Sequence, residues 1–114
     1  MDKIAKYKKI VRDLMEYIAS ISPSDEKVET QLIMDAERNH YLLYSVGWEE
    51  TNYREYSPFV HIDIKPDGKV WLQHDGTDWI IADWLVERGI FSQDIVIGFQ
   101  PPQARLLMPD FAAA

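Results

Sequence analysis

The side chains with the clearest chemical potential lie in one short stretch, VHIDIKPDGKVWLQHDG, at residues 60–76. Imidazole and carboxylate groups alternate there with branched aliphatic residues on both sides of a tight turn. Such groups serve in acid–base catalysis and as metal ligands when a fold brings them together. The stretch encodes either one chemical site or a β-hairpin with one polar face, and the register of the hairpin decides between the two.

The turn Pro66-Asp67-Gly68 predicts that register. Proline fixes φ at the first turn position, aspartate bonds to the local backbone, and glycine adopts the left-handed conformation of the loop. A three-residue loop places Lys65 opposite Lys69. The pairs that follow are Ile64–Val70, Ile62–Leu72 and Val60–His74 on one face, with Asp63–Trp71 and His61–Gln73 on the other.

Side chains alternate between the two faces of a strand, so His61 and His74 are expected on opposite faces and not at one metal ion. The other face should hold His61, Asp63, Trp71 and Gln73, which we name the polar–aromatic patch. His61 and Asp63 are two positions apart, about 6–7 Å, which suits a hydrogen-bond network or a binding surface.

A metal site at the patch would need a third ligand from another element, such as His40, Asp35 or Glu37. No feature of the sequence places any of these residues there, so neither a metal nor another cofactor is predicted. We interpret the patch as an interaction surface. Acid–base catalysis or metal binding that uses His61 and Asp63 is the alternative.

Length and composition indicate one globular domain over residues 1–114. Cysteine is absent, which excludes disulfides and thiolate catalysis and favours a reducing compartment. The charged start MDKIAKYKKIV is unlike a signal peptide, and no apolar run has the length of a membrane span. We expect a cytoplasmic protein that does not associate with membranes.

The formal net charge of −7 argues against strong autonomous DNA binding, which normally relies on a basic surface. Five of the basic residues nevertheless lie within residues 1–12. They could form a basic arm, but their spacing favours ion pairs within a helix. The expected pairs are Asp2–Lys6, Lys9–Asp13 and Arg12–Glu16.

Periodicity predicts an amphipathic helix at residues 3–20 and a second, short helix at residues 79–88. Asp78 is the predicted N-cap of the second helix, and Gly89 is its C-terminal stop. Besides the hairpin, strands are predicted at residues 28–37, 40–48 and 95–99. The polar residues 49–58 could form a loop or the frayed end of a hairpin, and the tail has no clear period.

These elements predict an α+β fold with a mostly antiparallel sheet of four to six strands. The long N-terminal helix and the second short helix are expected to cover one face of the sheet. Two helices cannot shield both faces. The polar–aromatic patch is therefore expected on the uncovered face, where it binds a second copy of the chain or another protein, unless the tail folds over it.

Four segments of the chain carry a resemblance to a known family: ERNHYLLYSVGW (37–48), VHIDIKPDGKVWLQHDGT (60–77), IADWLVERGI (81–90) and QDIVIGFQPP (93–102). They resemble the XisI family, the excision controlling factors of the fdxN DNA element in heterocyst-forming cyanobacteria. The chain departs from the family pattern in its tail, where residues 106–111 replace a Tyr-Thr-x-Phe-like ending, and at Trp84, where a polar residue is expected.

The resemblance implies a role rather than a reaction. Such proteins act beside a site-specific recombinase and a second controlling factor, XisH, in programmed DNA rearrangement. We therefore expect a non-enzymatic accessory protein with an XisH-like partner, and no catalytic residues are carried over. The expected interaction surface comprises His61, Asp63, Trp71, Gln73 and Trp84, and an unrecognised hydrolase or metal-binding enzyme that uses His61 and Asp63 is the alternative.

Overall fold

A computed structural model describes residues 2–114 and contains a five-stranded sheet flanked by helices. The elements in chain order are α1 (Lys3–Ile21), β1 (Val28–Asp35), β2 (His40–Glu50), β3 (Tyr53–Ile64), β4 (Val70–Asp75), α2 (Ile81–Glu87), a 3-10 turn (Ser92–Asp94), β5 (Ile95–Ile97) and α3 (Pro102–Arg105).

The strands lie in the order β1-β2-β3-β4-β5, so each strand pairs with its neighbour in sequence. The first three pairings are antiparallel, whereas β4 and β5 are parallel. Parallel neighbours need a crossover connection, and α2 lies in it. The predicted α+β fold with a mostly antiparallel sheet is confirmed.

α1 buries one stripe of side chains against the sheet, because its apolar residues recur every three or four positions. The stripe consists of Tyr7, Val11, Leu14, Met15 and Ile18. α2 adds its own buried side to the same core. The residues that complete this core are Ile81, Ala82 and Leu85 of α2 and Tyr41, Leu43, Val60, Ile62, Ile64, Val70, Leu72, Ile95 and Ile97 of the sheet.

The hairpin turn at residues 66–68 folds as predicted, and Gly68 has the left-handed φ of 88° that this loop requires. The three predicted pairs nearest the turn are also confirmed, because local turn chemistry fixes the first positions of both strands. These pairs are Ile64–Val70, Asp63–Trp71 and Ile62–Leu72.

Beyond those pairs β4 contains a bulge, and the predicted register is wrong there. Gln73 is the extra residue. His61 therefore pairs with His74, not with Gln73, so the expectation that these two histidines lie on opposite faces is wrong. Val60 pairs with Asp75, not with His74. A register counted outward from a turn assumes one residue per strand position, and a bulge breaks that assumption.

At residues 49–58, where a loop or a frayed hairpin end is predicted, the structure has the end of a hairpin, because β2 extends to Glu50 and β3 begins at Tyr53. Aromatic side chains hold these two strand ends together, with the rings of Tyr44 and Tyr56 5.5 Å apart. Such cross-strand contacts outweigh the low strand propensity of the polar residues between them.

α2 begins at Ile81, two residues later than predicted, and Asp78 does not cap it. Instead, the Ile81 N–H donates a 3.1 Å hydrogen bond to Oδ2 of Asp75, at the end of β4. Gly89 follows the helix with a φ of 112°, as its predicted role as C-terminal stop requires. β5 covers only residues 95–97 and is shorter than the predicted strand.

The tail forms α3 and then runs beside β5. Ala112 pairs with Val96 in parallel, and its N–H donates to the carbonyl of Ile95 at 2.9 Å. Leu106 and Leu107 point into solvent. The tail therefore closes the β5 edge of the sheet with its backbone and leaves two large apolar side chains exposed.

The charged residues of α1 serve the fold itself. Lys9 and Asp13 form the predicted pair at 3.5 Å, whereas the side chain of Asp2 caps the first turn of the helix. Lys3 reaches across to Asp94 at 2.9 Å. Within residues 2–114, no helix combines the length and apolar character that a membrane span requires.

We predict that Leu14→Ala lowers the free energy of unfolding by about 2–5 kcal/mol, because it leaves a cavity between α1 and the sheet. Leu107→Ala is the matched control: the side chain is 82% exposed, so its loss should change stability by no more than about 0.5 kcal/mol. Urea unfolding followed by circular dichroism measures both. Equal effects of the two substitutions would contradict this description of the core.

Candidate functional site

The candidate site lies on the side of the sheet away from α1 and α2, which we name the open face. Strand side chains alternate, so residues next to buried core positions point to this side. The structure places the polar–aromatic patch here. The open face is formed by Glu29, Gln31, Ile33 and Asp35 of β1, His40, Leu42, Tyr44, Val46 and Trp48 of β2, Arg54, Tyr56, Pro58, His61 and Asp63 of β3, and Trp71, Gln73 and His74 of β4.

Asp63 is the centre of a hydrogen-bond cluster on the open face, and only 6% of its surface is exposed. Its Oδ1 lies 2.7 Å from Nδ1 of His40 and 2.8 Å from Nε2 of His61. Its Oδ2 accepts a 3.1 Å hydrogen bond from Nε2 of Gln73. An ionised carboxylate can only accept, so each imidazole carries a proton on the nitrogen that faces Asp63. We name these four residues the Asp63 cluster.

The cluster keeps Asp63 ionised in spite of its burial. Removal of the carboxylate from water by itself raises the pKa of Asp63. The hydrogen bonds from His40, His61 and Gln73 favour the charged form and together outweigh burial, so the net pKa lies below the ordinary value. The cluster is therefore a fixed negative charge beneath two partly exposed imidazoles.

His40 is the residue whose role sequence analysis missed, since it was only one of three candidates for a third ligand. It lies directly opposite Asp63 in the β2–β3 pairing. That pairing contains two register shifts, and one end of it lies in residues 49–58, where a loop and a frayed hairpin end were both open, so counting along the sequence could not reveal it. Of the other two candidates, Asp35 lies opposite His40 but its carboxylate is bound to Arg38 at 3.1 Å, and Glu37 lies in the turn between β1 and β2.

The tail, together with Lys65, partly covers the ring of Trp71. The guanidinium of Arg105 lies 5.2 Å from the ring centroid of Trp71, and Nζ of Lys65 lies 5.7 Å from it. Arg105 is held in place because its guanidinium donates to the carbonyls of Gln100 and Ala113 at 2.8 and 3.0 Å. The folding of the tail over the uncovered face therefore occurs in part, at the β4 side.

The opposite end of the open face carries an exposed aromatic strip, which we define as Tyr44, Trp48, Arg54 and Tyr56. The guanidinium of Arg54 lies 5.4 Å from the ring centroids of both Trp48 and Tyr56. Strand alternation over residues 40–48 was the sequence signal for its β2 half. The polar composition of residues 49–58, which left a loop or a frayed hairpin end open, concealed the β3 half.

Trp84 does not join the other predicted interaction residues. It lies on α2, with its ring 5.9 Å from that of Tyr17 and 5.1 Å from that of Trp79. Arg88 approaches the Tyr17 ring to 5.1 Å. Trp84 therefore helps to pack α2 beside α1, on the side of the sheet opposite to the Asp63 cluster.

A cavity of about 610 Å³ lies near the C-terminal end of α1, on the helix side of the sheet. The Asp63 cluster takes no part in its walls, so the His61–Asp63 pair lies on an open surface and not in this cleft. Enzyme sites are usually concave and enclose their substrates. The cavity is lined by Ile21, Ser22, Pro23, Asp25, Val28, Thr30, Ser45, Glu49, Glu55, Phe59, Gly76, Thr77, Asp78 and Trp79.

Comparison with known proteins gives a consistent result over the whole chain. The family model described as "XisI protein" matches residues 1–113. A solved XisI-like protein from Anabaena variabilis is 45% identical, with a TM-score of 0.90, and the match covers 97% of this chain and 99% of that one. The solved fdxN element excision controlling factor XisI from the same species is 31% identical, with a TM-score of 0.86 and coverage of 99% and 100%. No protein with a curated description matches.

We predict that Asp63→Asn lowers stability near neutral pH by about 1–3 kcal/mol, because the amide cannot accept all three hydrogen bonds. The lowered pKa of Asp63 contributes stability that is present above its unfolded pKa and is lost as the pH falls through the folded value. Urea unfolding at neutral and acidic pH should therefore show a smaller acid-dependent loss in the variant. Parallel pH profiles for the two proteins would contradict this role.

Proposed function

The chain belongs to the XisI family, and we propose that it is a non-enzymatic controlling factor for excision of a DNA element. The observation that carries this proposal is the whole-chain similarity to a protein described as the fdxN element excision controlling factor. In this role the chain acts in the cytoplasm beside a recombinase. It contributes binding rather than bond cleavage.

Its charge supports action through a protein partner rather than through DNA alone. The net charge of −7 repels a phosphate backbone. The basic residue nearest the start of α1, Lys3, is already bound to Asp94, and Lys9 is bound to Asp13. The partner in this proposal is an XisH-like protein.

The open face is the proposed binding surface. Large apolar side chains remain accessible there: Ile33 is 46% exposed, Trp48 52% and Tyr56 64%. Aromatic residues and arginine are enriched at protein interfaces, where rings supply contact area and polar neighbours fix orientation. The aromatic strip would supply the anchors, and His61 and Gln73 of the polar–aromatic patch would supply the polar neighbours.

A second copy of the chain is the alternative occupant of the same face, and an enzyme is the alternative function. A hydrolase that uses His61 and Asp63 is supported by the His40–Asp63–His61 arrangement, which resembles the way carboxylates orient catalytic imidazoles. The open position of the cluster, outside the cavity on the helix side, favours the binding role.

We predict that the double variant Trp48→Ala, Tyr56→Ala weakens binding to an XisH-like protein by about tenfold or more, because truncated aromatic anchors typically cost more than about 1 kcal/mol each. Phe91→Ala is the matched control, since this ring is 65% exposed but lies in the loop after α2. Co-expression, affinity capture and biolayer interferometry measure the binding, and circular dichroism checks the fold.

Light scattering on the isolated chain shows whether the open face binds an XisH-like protein or a second copy of the chain. A monomer that gains mass only with the XisH-like protein supports the proposal. A stable oligomer that the double variant dissociates would assign the open face to a second copy. Undiminished capture of the XisH-like protein by the double variant would exclude the aromatic strip as its binding surface.

We also predict that the isolated chain binds duplex DNA weakly and without sequence selectivity near physiological salt. Its acidic body opposes contact with the phosphate backbone, and the affinity that remains should fall steeply with added salt. Fluorescence anisotropy with an element-end duplex and a scrambled duplex of equal length measures both properties. Sub-micromolar, sequence-selective binding by the chain alone would overturn the accessory role.

A further inference from the structure

We propose that the Asp63 cluster binds one divalent transition-metal ion, and that Zn²⁺ is the ion its donor atoms fit best. The ligand atoms are Nδ1 of His40, Nε2 of His61 and Oδ1 of Asp63, which all lie within 4.8 Å of one another. This site does not depend on the proposed accessory function.

The donor chemistry selects the class of metal. Two imidazole nitrogens and one carboxylate oxygen suit Zn²⁺, Ni²⁺ and Cu²⁺, whereas Mg²⁺ and Ca²⁺ prefer sites built from oxygen alone. The chain lacks cysteine, so the thiolate ligands of many structural zinc sites are absent. Three protein ligands with one further position filled by water would complete a four-coordinate site.

The scaffold holds the ligands on two neighbouring strands. His40 lies directly opposite Asp63 across the β2–β3 ladder, and His61 lies two positions from Asp63 on β3, on the same face. The backbone of a paired sheet therefore fixes the three Cβ positions. Only rotation of the side chains is needed to adjust the ligand atoms.

Gln73 provides the support that metal ligands usually receive from a second layer of residues. Its amide donates to Oδ2 of Asp63, which leaves Oδ1 directed at both imidazoles. Such outer contacts fix the orientation of a ligand and raise metal affinity. The bulge in β4 at Gln73 thus has a direct consequence for the geometry of the carboxylate.

Metal binding requires a small rearrangement of the cluster. Ligand bonds of about 2.0–2.1 Å in a tetrahedral zinc site imply about 3.3 Å between ligand atoms. The N···O distances at Asp63 are now 2.7 and 2.8 Å, as expected for hydrogen bonds. Each imidazole would move away from Asp63 by about 0.5 Å, and the two ring nitrogens, now within 4.8 Å of each other, would also settle at about 3.3 Å. A ligating nitrogen needs a free lone pair, so a neutral ring would carry its proton on the other nitrogen, and a protonated ring would release one proton to solvent. Both rings are partly exposed and can make this adjustment.

The competing interpretation is a cluster that only holds its own hydrogen bonds and binds no ion. Isothermal titration of the EDTA-treated full chain with Zn²⁺ decides between them, with Mg²⁺ as the negative control. We expect one Zn²⁺ per chain with a Kd in the micromolar range or tighter. Heat indistinguishable from the Mg²⁺ titration would overturn the proposal.

Single substitutions test whether the Zn²⁺ ion binds at the Asp63 cluster. His40→Ala should abolish it, and Gln73→Ala should weaken it by about 10–100-fold. His74→Ala is the matched control: His74 lies opposite His61 across the β3–β4 ladder, but it is not among the three residues whose ligand atoms converge. Binding that survives His40→Ala, or that His74→Ala reduces equally, would refute the assignment.

Co²⁺ absorption gives a second readout that requires neither activity nor a partner. Four-coordinate Co²⁺ gives intense visible bands, so we expect them in the wild-type chain and in His74→Ala but not in His40→Ala. Circular dichroism of His40→Ala checks that the variant is folded, as we expect because the His40 side chain is about half exposed. Equal spectra for His40→Ala and the wild-type chain would overturn the proposal.

Discussion

The burial of α1 and α2 against one face of the sheet is the constraint on which the other features depend. Successive side chains of a strand point to opposite faces of the sheet, so the neighbours of each buried core residue must point to the other face. The two helices use one face only, so the second face must be solvated, covered by the tail or bound by another molecule. The candidate site exists because the core leaves that face without a helix.

A buried carboxylate on such a face needs a stabilising environment, and the sheet supplies it. Asp63 has core residues as its neighbours on β3, so it cannot turn toward water without disturbing them. Its charge is tolerated because three side chains on three strands donate to it. The same arrangement orders His40 and His61, which on a plain solvated face would sample many rotamers. The cluster thus stabilises the buried carboxylate and fixes the orientation of the side chains that bind it.

The sequence was sufficient for those parts of the fold that local chemistry determines. The amphipathic stripe of α1, the turn at residues 66–68 and the first pairs of its hairpin depend on residues close together in the chain. Pairing between β2 and β3 depends on contacts across a longer hairpin with two register shifts, and those contacts bring His40 to Asp63. The bulge at Gln73 escapes sequence analysis for the same reason, since it inserts one residue without any change of residue pattern.

The two halves of the open face differ in exposure because the tail covers only one of them. Arg105, fixed by two backbone carbonyls, shields Trp71 beside β4, whereas nothing comparable covers Trp48 or Tyr56 among the described residues. Arg54 lies against the latter rings but is itself exposed, so it leaves a mixed cationic and aromatic surface instead of a closed one. A partner bound to the open face would contact this strip at one end and the Asp63 cluster at the other. The tail borders that surface and presents Leu106 and Leu107 to solvent. Variation of the tail can therefore change the outline of the binding surface without any change in the core that supports it.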